Sequence, residues 1–423
     1  MISAIALSLL LLPNLILSQT TGQTNPGNSN QHKQCNVGST AWPKLWLDIV
    51  ILIDNSAAQT KNNFDAMISQ IQEIWQPGSG GPTVGQGQVQ TRVAVVTFDT
   101  QARVVANLNQ LNSNAELIST LKAVGQTSAQ TVDGSNALQA AGQLLAQGAS
   151  GNRPNAPDVI IIYTADWAGN YPCQIAESIK QNGVILTVLF KNRNELAPTV
   201  PQCVYTPGEV YNATNSNLDV ITLTSLSYAN CFCVGQGSLD GNRRLLSEKA
   251  SRDNQVWYQY WLPQADKKYY LRDKLAECLQ ATTTASSNHD TAIAACHLDG
   301  NSLPNIFSYA KHSFLINLAV QSSLTSQWIG LQYDPTIRQW YWDNQIGDVA
   351  GRTPMNPGDF TFWNPNQPDL TNSQYCVREA PGTGGASGYR WSTVLCTGFN
   401  LQYHSQYLCQ QPACDAFNFC SNF

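Results

Sequence analysis

This sequence of 423 residues carries little charge: Asp, Glu, Lys and Arg together make up 12% of it, and the net charge is −5. It has no basic cluster that could follow a phosphate backbone, which argues against nucleic acid as a partner. After Leu17, no uninterrupted apolar run approaches the roughly 20 residues that a membrane-spanning helix needs. Ser, Thr, Asn, Gln and Gly supply the polarity instead, so the composition predicts a soluble protein without a membrane span.

Recognisable catalytic motifs are missing as well. The pattern Gly-x-Ser-x-Gly does not occur, and the Asp and Glu residues form no recognisable acid/base pair. The histidines in the second half of the chain are scattered, with no nucleophile motif to match them: His289, His297, His312 and His404. The sequence therefore predicts that the protein is not an enzyme.

The chain opens with an apolar stretch that runs from Met1 to Leu17. Its length is about that of a secretory signal core, and it is too short to span a bilayer. Because Ser18 is small, we predict cleavage after it, which makes residues 1–18 a signal peptide and the protein secreted. Residues 19–45 follow as a polar leader, which begins with Gln, Thr, Asn, Gly and Ser and is predicted to be flexible.

The twelve cysteines fit an oxidising, extracellular compartment, because their number is even and secreted chains oxidise their thiols. The two cysteines of Cys231-Phe232-Cys233 lack metal-ligand spacing, and no matching Cys/His pair completes a zinc site. The sequence therefore predicts structural disulfides. Asn212-Ala213-Thr214 is an acceptor triplet for N-glycosylation, with Asn212 as the modified residue.

Strands of the fully buried type alternate with helical patterns between residues 46 and 230. The first strand, Trp46–Ile53, is continuously apolar, and helical spacing follows over Asn62–Trp75. Further strands are predicted over Arg92–Phe98, Ala102–Leu108, Asp158–Tyr163 and Val184–Phe190, and further helices over Leu117–Val124, Ala137–Leu145 and Ile175–Gln181. The alternation predicts an α/β domain with a doubly wound, mostly parallel sheet, which binds ligands beyond the carboxyl ends of its strands.

A linker is predicted over residues 231–256, which contain several glycines and the dibasic pair Arg243-Arg244. This pair is either solvated linker charge or a processing site. Residues 257–423 form a second domain, rich in Trp and Tyr, with a short cysteine tail. Helices are predicted there over Asp290–Ala295 and Phe307–Leu318.

The segment Asp54-Asn55-Ser56-Ala57-Ala58, directly after the first strand, resembles the Asp-x-Ser-x-Ser motif of the von Willebrand factor A domain. The resemblance implies a divalent cation at the carboxyl end of the strand, and hard oxygen ligands suit magnesium or manganese. Asp54, Ser56 and Thr131 would hold this cation, with Thr131 corresponding to a threonine of the family. In adhesive members of the family the cation receives a carboxylate from the partner.

The sequence departs from this family pattern at three places. Ala58 offers no oxygen, Thr131 aligns only with a shift of one residue, and Asp166 follows Thr164 one residue late. A slip of one residue points a side chain elsewhere unless the backbone bulges. The sequence therefore predicts that the fold serves as an interaction platform without magnesium, with Asp54 available as a cap for the following helix.

Residues from about 257 to 409 resemble the C-type lectin domain. The segments that carry the resemblance are Trp328-Ile329-Gly330-Leu331, Trp340-Tyr341-Trp342-Asp343 and Trp363-Asn364-Pro365-Asn366-Gln367-Pro368-Asp369. The resemblance implies a disulfide-framed α+β fold in which Cys296 pairs with Cys409, and Cys376 with Cys396. It also implies an N-terminal disulfide of Cys278 with Cys233 or Cys231. Cys414 and Cys420 are expected to pair in the tail, whereas the partners of Cys35, Cys173 and Cys203 stay open.

In this family the oxygens that flank the loop proline hold a calcium ion and two sugar hydroxyls together. The resemblance thus implies Gln367 and Asp369 as ligands, a cis peptide at Pro368 and a galactose-type preference. Gln374, Ser392 and Thr393 stand where the family supplies its other ligands, so Asp369 is the one carboxylate left. Because calcium takes six to eight oxygens and its affinity follows their charge, the sequence predicts a poor calcium site.

An A-type domain followed by a C-type lectin-like domain resembles a family of secreted nematode lectin-like proteins. The resemblance implies extracellular recognition of glycans or proteins, in innate defence. Two functions follow as alternatives. The protein is either a carbohydrate-binding module that acts through Gln367 and Asp369, or a protein-binding or structural extracellular protein in which both metal sites have decayed. Calcium dependence separates the two.

Overall fold

The computed structural model describes residues 32–170, 172–181, 183–233, 257–262, 264, 270–298, 300–344, 352–385, 387–398 and 404–420. The predicted signal peptide and the Arg243-Arg244 pair lie outside these residues. Within them, no helix is both long enough and apolar enough to cross a bilayer.

The N-terminal domain is built on a six-stranded sheet in the order β3-β2-β1-β4-β5-β6. All neighbouring strands are parallel except β2 and β3, which are antiparallel. The strands are β1 (Asp48–Asp54), β2 (Arg92–Phe98), β3 (Ala102–Ala106), β4 (Asp158–Thr164), β5 (Gly183–Leu189) and β6 (Val210–Asn212). This is the doubly wound, mostly parallel sheet that the sequence predicts.

Five helices cover the two faces of this sheet: α1 (Lys61–Trp75), α2 (Asn114–Lys122), α3 (Gly134–Ala146), α4 (Pro172–Lys180) and α5 (Leu218–Ala229). Each residue of β1 is buried, because helices pack on both sides of it. The α1 helix begins where the Thr60 side chain accepts the Asn63 N–H, and it buries Phe64, Met67 and Ile71 on the sheet. The α3 helix is capped in the same way by Asp133.

The C-terminal domain contains a path of hydrogen-bonded strands in the order β11-β10-β9-β14-β8-β7, and β12 joins β13 to β9. The strands are β7 (Trp257–Trp261), β8 (Lys274–Ser287), β9 (Gln327–Asp334), β10 (Gln339–Asp343), β11 (Arg352–Pro354), β12 (Cys376–Pro381), β13 (Tyr389–Val394) and β14 (Ser405–Pro412). Two helices pack with them, α6 (His289–Leu298) and α7 (Tyr309–Gln321). Trp328, Trp342 and Trp391 are fully buried and form the centre of this domain.

All twelve cysteines are paired. The bonds Cys296–Cys409 and Cys376–Cys396 frame the C-terminal domain, as the resemblance to lectins implies. The remaining bonds are Cys233–Cys278, Cys414–Cys420, Cys35–Cys231 and Cys173–Cys203. The last two settle partners that the sequence leaves open.

The predicted leader contributes residues 32–45 to the described part of the chain. These residues contain a short 3-10 helix at Trp42–Lys44, and Ala41 and Leu45 are buried. Cys35 is tied by its disulfide to Cys231, at the end of the N-terminal domain. Leu45 belongs to the core of the N-terminal domain and Cys35 to a cluster with cysteines of the C-terminal domain, so the segment contacts both domains.

Candidate functional site

The sequence places a candidate site in each domain. In the N-terminal domain the site lies at the carboxyl ends of β1 and β4, which are parallel neighbours. Their ends bring the loop after Asp54 next to the loop after Thr164. In a doubly wound sheet this edge is the usual position of a ligand.

The Asp54 carboxylate is fully buried and accepts hydrogen bonds from the protein itself. Its Oδ1 accepts the Ser56 N–H at 3.0 Å. Its Oδ2 accepts the Thr164 hydroxyl at 3.2 Å, the Ala165 N–H at 3.0 Å and the Asp166 N–H at 3.2 Å. Burial raises the pKa of Asp54, and these hydrogen bonds oppose the rise. The Asp54 carboxylate therefore connects the loop after β1 to the loop after β4 through hydrogen bonds.

The backbone of the 54–59 loop is also held by protein donors. The Gln126 side-chain amide donates to the carbonyls of Ser56 and Gln59, both at 3.0 Å. The Arg193 N–H donates to Ala58 O at 3.0 Å, and its guanidinium Nε donates to Ala57 O. Protein hydrogen bonds thus fix the loop that would carry a cation.

Thr131 and Asp166 do not complete a cation site around Asp54. Thr131 is exposed, and it is Ala129 of the same loop that accepts the Ala57 N–H, at 2.6 Å. The Asp166 carboxylate accepts the N–H of its own neighbour Trp167 at 2.9 Å. With Ala58 in place of a hydroxyl donor, the side chains present do not fit a six-coordinate magnesium ion.

In the C-terminal domain the candidate site is the Gln367–Pro368 loop, whose peptide bond is cis. The Gln367 side-chain oxygen accepts the Thr393 N–H and lies 2.7 Å from the Thr393 hydroxyl as well. The Asp369 N–H donates to the same hydroxyl at 2.9 Å. Two of the expected ligands, Gln367 and Thr393, are therefore hydrogen-bonded to each other.

The two other expected calcium ligands, Ser392 and Gln374, are also hydrogen-bonded within the protein. The Ser392 hydroxyl accepts the Asn364 side-chain N–H at 2.8 Å, and Asn364 in turn accepts the Thr383 N–H. The Gln374 N–H is bonded to Thr371 O at 3.3 Å, and its half-buried side chain carries no charge.

Asp369 is the one ionised group in this loop. Its Oδ1 accepts the Thr371 N–H at 2.9 Å. Hydrogen bonds from the N–H and hydroxyl of Thr371 lower the pKa of Asp369, so the carboxylate is charged at neutral pH. One carboxylate beside the Gln367–Thr393 pair does not supply the charge or the free oxygens that calcium needs.

One further cluster in the described part of the chain has the spacing of a metal site: His289, Asp290 and Cys376. Cys376 is bonded to Cys396 and has no thiolate to offer. His289 is buried, and its Nε2 lies 3.1 Å from Ile329 O. With Cys376 in a disulfide, His289 buried and Asp290 exposed, the cluster does not offer three ligands to one ion.

Sequence reasoning missed Gln126 and Arg193. Gln126 lies 70 residues from its acceptor Ser56, and Arg193 lies 136 residues from Ala57. No local pattern marks either residue, because each acts through a contact that exists only in the folded chain. The signal in the sequence is Ala58, which stands where the family motif has a serine and indicates that the loop is held by contacts other than a cation.

Two protein-family models match this chain. Residues 48–226 match the von Willebrand factor type A domain, and residues 285–411 match the lectin C-type domain. The chain thus contains a von Willebrand factor type A domain followed by a C-type lectin domain, two folds whose families can bind metal ions. These domain types indicate extracellular recognition or interaction.

Solved structures resemble each part of the chain. Proximal thread matrix protein 1 from the mussel byssus is 17% identical, with a TM-score of 0.38 over 48% of this chain and 51% of that one. A form of the same protein with a zinc-occupied MIDAS motif is 19% identical, with a TM-score of 0.38 over 48% and 51%. This chain therefore spans about half the length of the byssus protein.

The C-type lectin domain of murine dendritic cell inhibitory receptor 2, solved in complex with an N-glycan, resembles the C-terminal domain. It is 24% identical, with a TM-score of 0.25 over 32% of this chain and 91% of that one.

Proposed function

We propose that this protein is a secreted, non-catalytic recognition protein that binds extracellular proteins without calcium or magnesium. The observation that carries the proposal is the hydrogen bond of 2.7 Å from the Thr393 N–H to the Gln367 side-chain oxygen, which engages an oxygen that a calcium ion would need. The N-terminal domain supports it, because the buried Asp54 is already bonded to Ser56, Thr164 and their neighbours. These contacts support a fold that does not depend on the ions of the two families.

The experiment is a binding screen of the secreted full-length chain against an array of extracellular protein domains. Each array is read in calcium and magnesium, and again in EDTA. We expect the same partners, with affinities within about twofold, in both conditions. Partners that disappear in EDTA and return with calcium or magnesium would overturn the proposal.

Glycan binding is the second candidate, and the charged Asp369 carboxylate favours it. A carboxylate in a surface loop can accept hydrogen bonds from sugar hydroxyls without an ion, because charged acceptors form the stronger hydrogen bonds. On a glycan array we expect such binding to persist in EDTA and to be lost in Asp369→Asn. Asp359→Asn is the matched control, since Asp359 also accepts one backbone N–H in a surface turn, from Asn356 at 2.7 Å.

A role in innate defence and a glycan on Asn212 belong to the same proposal. Asn212 is exposed at the end of the edge strand β6, where an oligosaccharide has room. Treatment of the secreted protein with an amidase that removes N-glycans, followed by mass measurement, tests this modification. A mass that does not change would contradict it.

A further inference from the structure

We propose that residues 32–37 complete the C-terminal domain, so that this domain does not fold stably without the segment that precedes the N-terminal domain. These residues come first among those described, yet they lie on the last domain. Gln34 pairs with Leu275 of β8 in an antiparallel bridge, and the Ala276 N–H donates to Lys33 O at 2.8 Å. The segment thus adds backbone hydrogen bonds to β8.

The segment also supplies partners for a buried ion pair. The side chains of Lys311 on α7 and Glu277 on β8 are only 0% and 4% exposed, and they are bonded to each other. The second oxygen of Glu277 accepts the Lys33 N–H at 2.8 Å and lies 3.2 Å from His32 Nδ1. Removal of the segment would leave that oxygen without these donors, and an unsatisfied buried charge is strongly destabilising.

The charge on Glu277 depends on the same contacts. Burial raises the pKa of Glu277, but Lys311 and His32 oppose it with their charges and hydrogen bonds and lower the pKa to about 2. Lys311 also bonds to Gln410 of β14 at 3.2 Å. The Lys311–Glu277 pair therefore connects α7, β8 and β14, and residues of the N-terminal segment bond to the same carboxylate.

His32 connects this pair to the start of α7. Its Nε2 lies 2.9 Å from the Ser308 hydroxyl, which caps α7 by accepting the Lys311 N–H at 3.2 Å. The ring packs on Tyr260 and Phe307, with ring centres 5.2 and 5.8 Å apart. His32 is thus built into the domain as a core residue would be.

Two further bonds hold the segment in place. Cys35 is disulfide-bonded to Cys231, and the Asn36 side-chain amide donates to the Asp415 carboxylate at 2.6 Å. A fragment that begins at the linker would lack every one of these contacts. The local stability of β8 and α7 therefore requires residues 32–37 as part of the same chain.

Hydrogen exchange of the secreted full-length protein tests this inference. Lys33→Pro removes the N–H donor to Glu277 and keeps the carbonyl that accepts from Ala276, and His32→Ala removes the ring alone. We expect amide exchange in β8 and α7 to be about tenfold faster in either variant. Exchange in the N-terminal sheet is expected to stay unchanged.

Gln34→Ala is the matched control, because this exposed side chain in the same segment bonds locally, to His32 O at 3.2 Å, and to no other residue that the structure describes. It should exchange as the wild type does. If Lys33→Pro is not secreted, His32→Ala decides the question by the same measurement. Exchange in β8 and α7 within twofold of the wild type in every secreted variant would overturn the inference.

Discussion

Thr393 is the residue at which the C-terminal domain departs most clearly from a calcium site. Its hydroxyl lies 2.7 Å from Gln367 Oε1 and 2.9 Å from the Asp369 N–H, so it fixes the loop from within the protein. A carboxylate at this position would instead bring charge to the loop.

We expect the double variant Thr393→Asp with Gln374→Glu to gain calcium binding, because it raises the number of carboxylates beside Asp369. Isothermal titration with calcium should show a saturable site in the millimolar range or tighter. Thr393→Val removes the hydroxyl without adding charge, and it should show no such site. A double variant that folds and binds no calcium would contradict the role given to these residues.

We expect the buried His289 to make the free energy of unfolding fall in weak acid. Burial lowers the pKa of His289 to about 4, and its neighbours Asp290, Ile329 O and the Trp328 ring do not restore it. The unfolded chain therefore binds the proton first, and stability is lost as pH falls from about 6.5 towards 4. The contribution is up to about 3 kcal/mol.

Urea unfolding at pH 7.5 and pH 4.5 measures this contribution. His289→Gln keeps a donor for Ile329 O but does not titrate, so its stability should fall less between the two pH values. Equal losses in the wild type and the variant would show that His289 is not the group responsible.

At the scale of single residues, the sequence predicts the position of the loop around Gln367 and Asp369 but not the hydrogen bonds that hold this loop. The loop is marked by a continuous motif. The contacts of Gln126 and Arg193 are made across 70 and 136 residues, and spacing in the sequence carries no information about them.

Among the elements, β2 was predicted with the bounds that the structure shows, because its apolar run is bordered by polar residues. The α5 helix and the short β6 strand were not predicted. The buried side of α5 contains Thr222, Ser225 and Ser227, and Val220 on the same helix is exposed. Because hydroxyl residues are buried and an apolar residue is exposed, α5 lacks the helical spacing of apolar residues that identifies α1.

The α7 helix depends on its buried lysine. We expect Lys311→Met to destabilise the protein by about 3–5 kcal/mol, because Glu277 keeps its buried charge and loses its cation. Replacing both residues, as Lys311→Met with Glu277→Gln, should recover part of the loss. Lys122→Met on the exposed end of α2 is the control and should change stability by less than about 0.5 kcal/mol.

Urea unfolding of these variants gives the free energies. A loss below about 1 kcal/mol for Lys311→Met would contradict the view that the pair is a buried, mutually dependent unit.

For the whole molecule, local motifs carry the two family resemblances, and these imply the order of the domains and the lectin disulfides but not the connection between the domains. Cys35 and Cys231 are 196 residues apart. Trp46, at the entrance to β1, donates its indole N–H to Asp415 O at 3.0 Å and packs against Phe232 and Phe419. Such contacts join the start, middle and end of the chain, and no segment read alone predicts them.

We expect Trp46→Ala to lower the stability of the full chain by about 3–5 kcal/mol, since it empties a buried aromatic site shared by both domains. Calorimetry should show a lower midpoint for the unfolding of the C-terminal domain as well as the N-terminal one. Phe417→Ala is the control in the same tail, where the side chain is 49% exposed. A midpoint that falls for one domain only would contradict a shared site.

The most direct test of calcium-independent recognition is a thermal melt of the wild-type full chain in 10 mM calcium and in EDTA. An ion that binds the folded state raises stability by about 2.7 kcal/mol at 100 times its Kd, which moves the melting temperature by several degrees. We predict melting temperatures that agree within about one degree, because Thr393 already holds Gln367. A saturable rise with calcium would show that the loop binds the ion and would contradict this account.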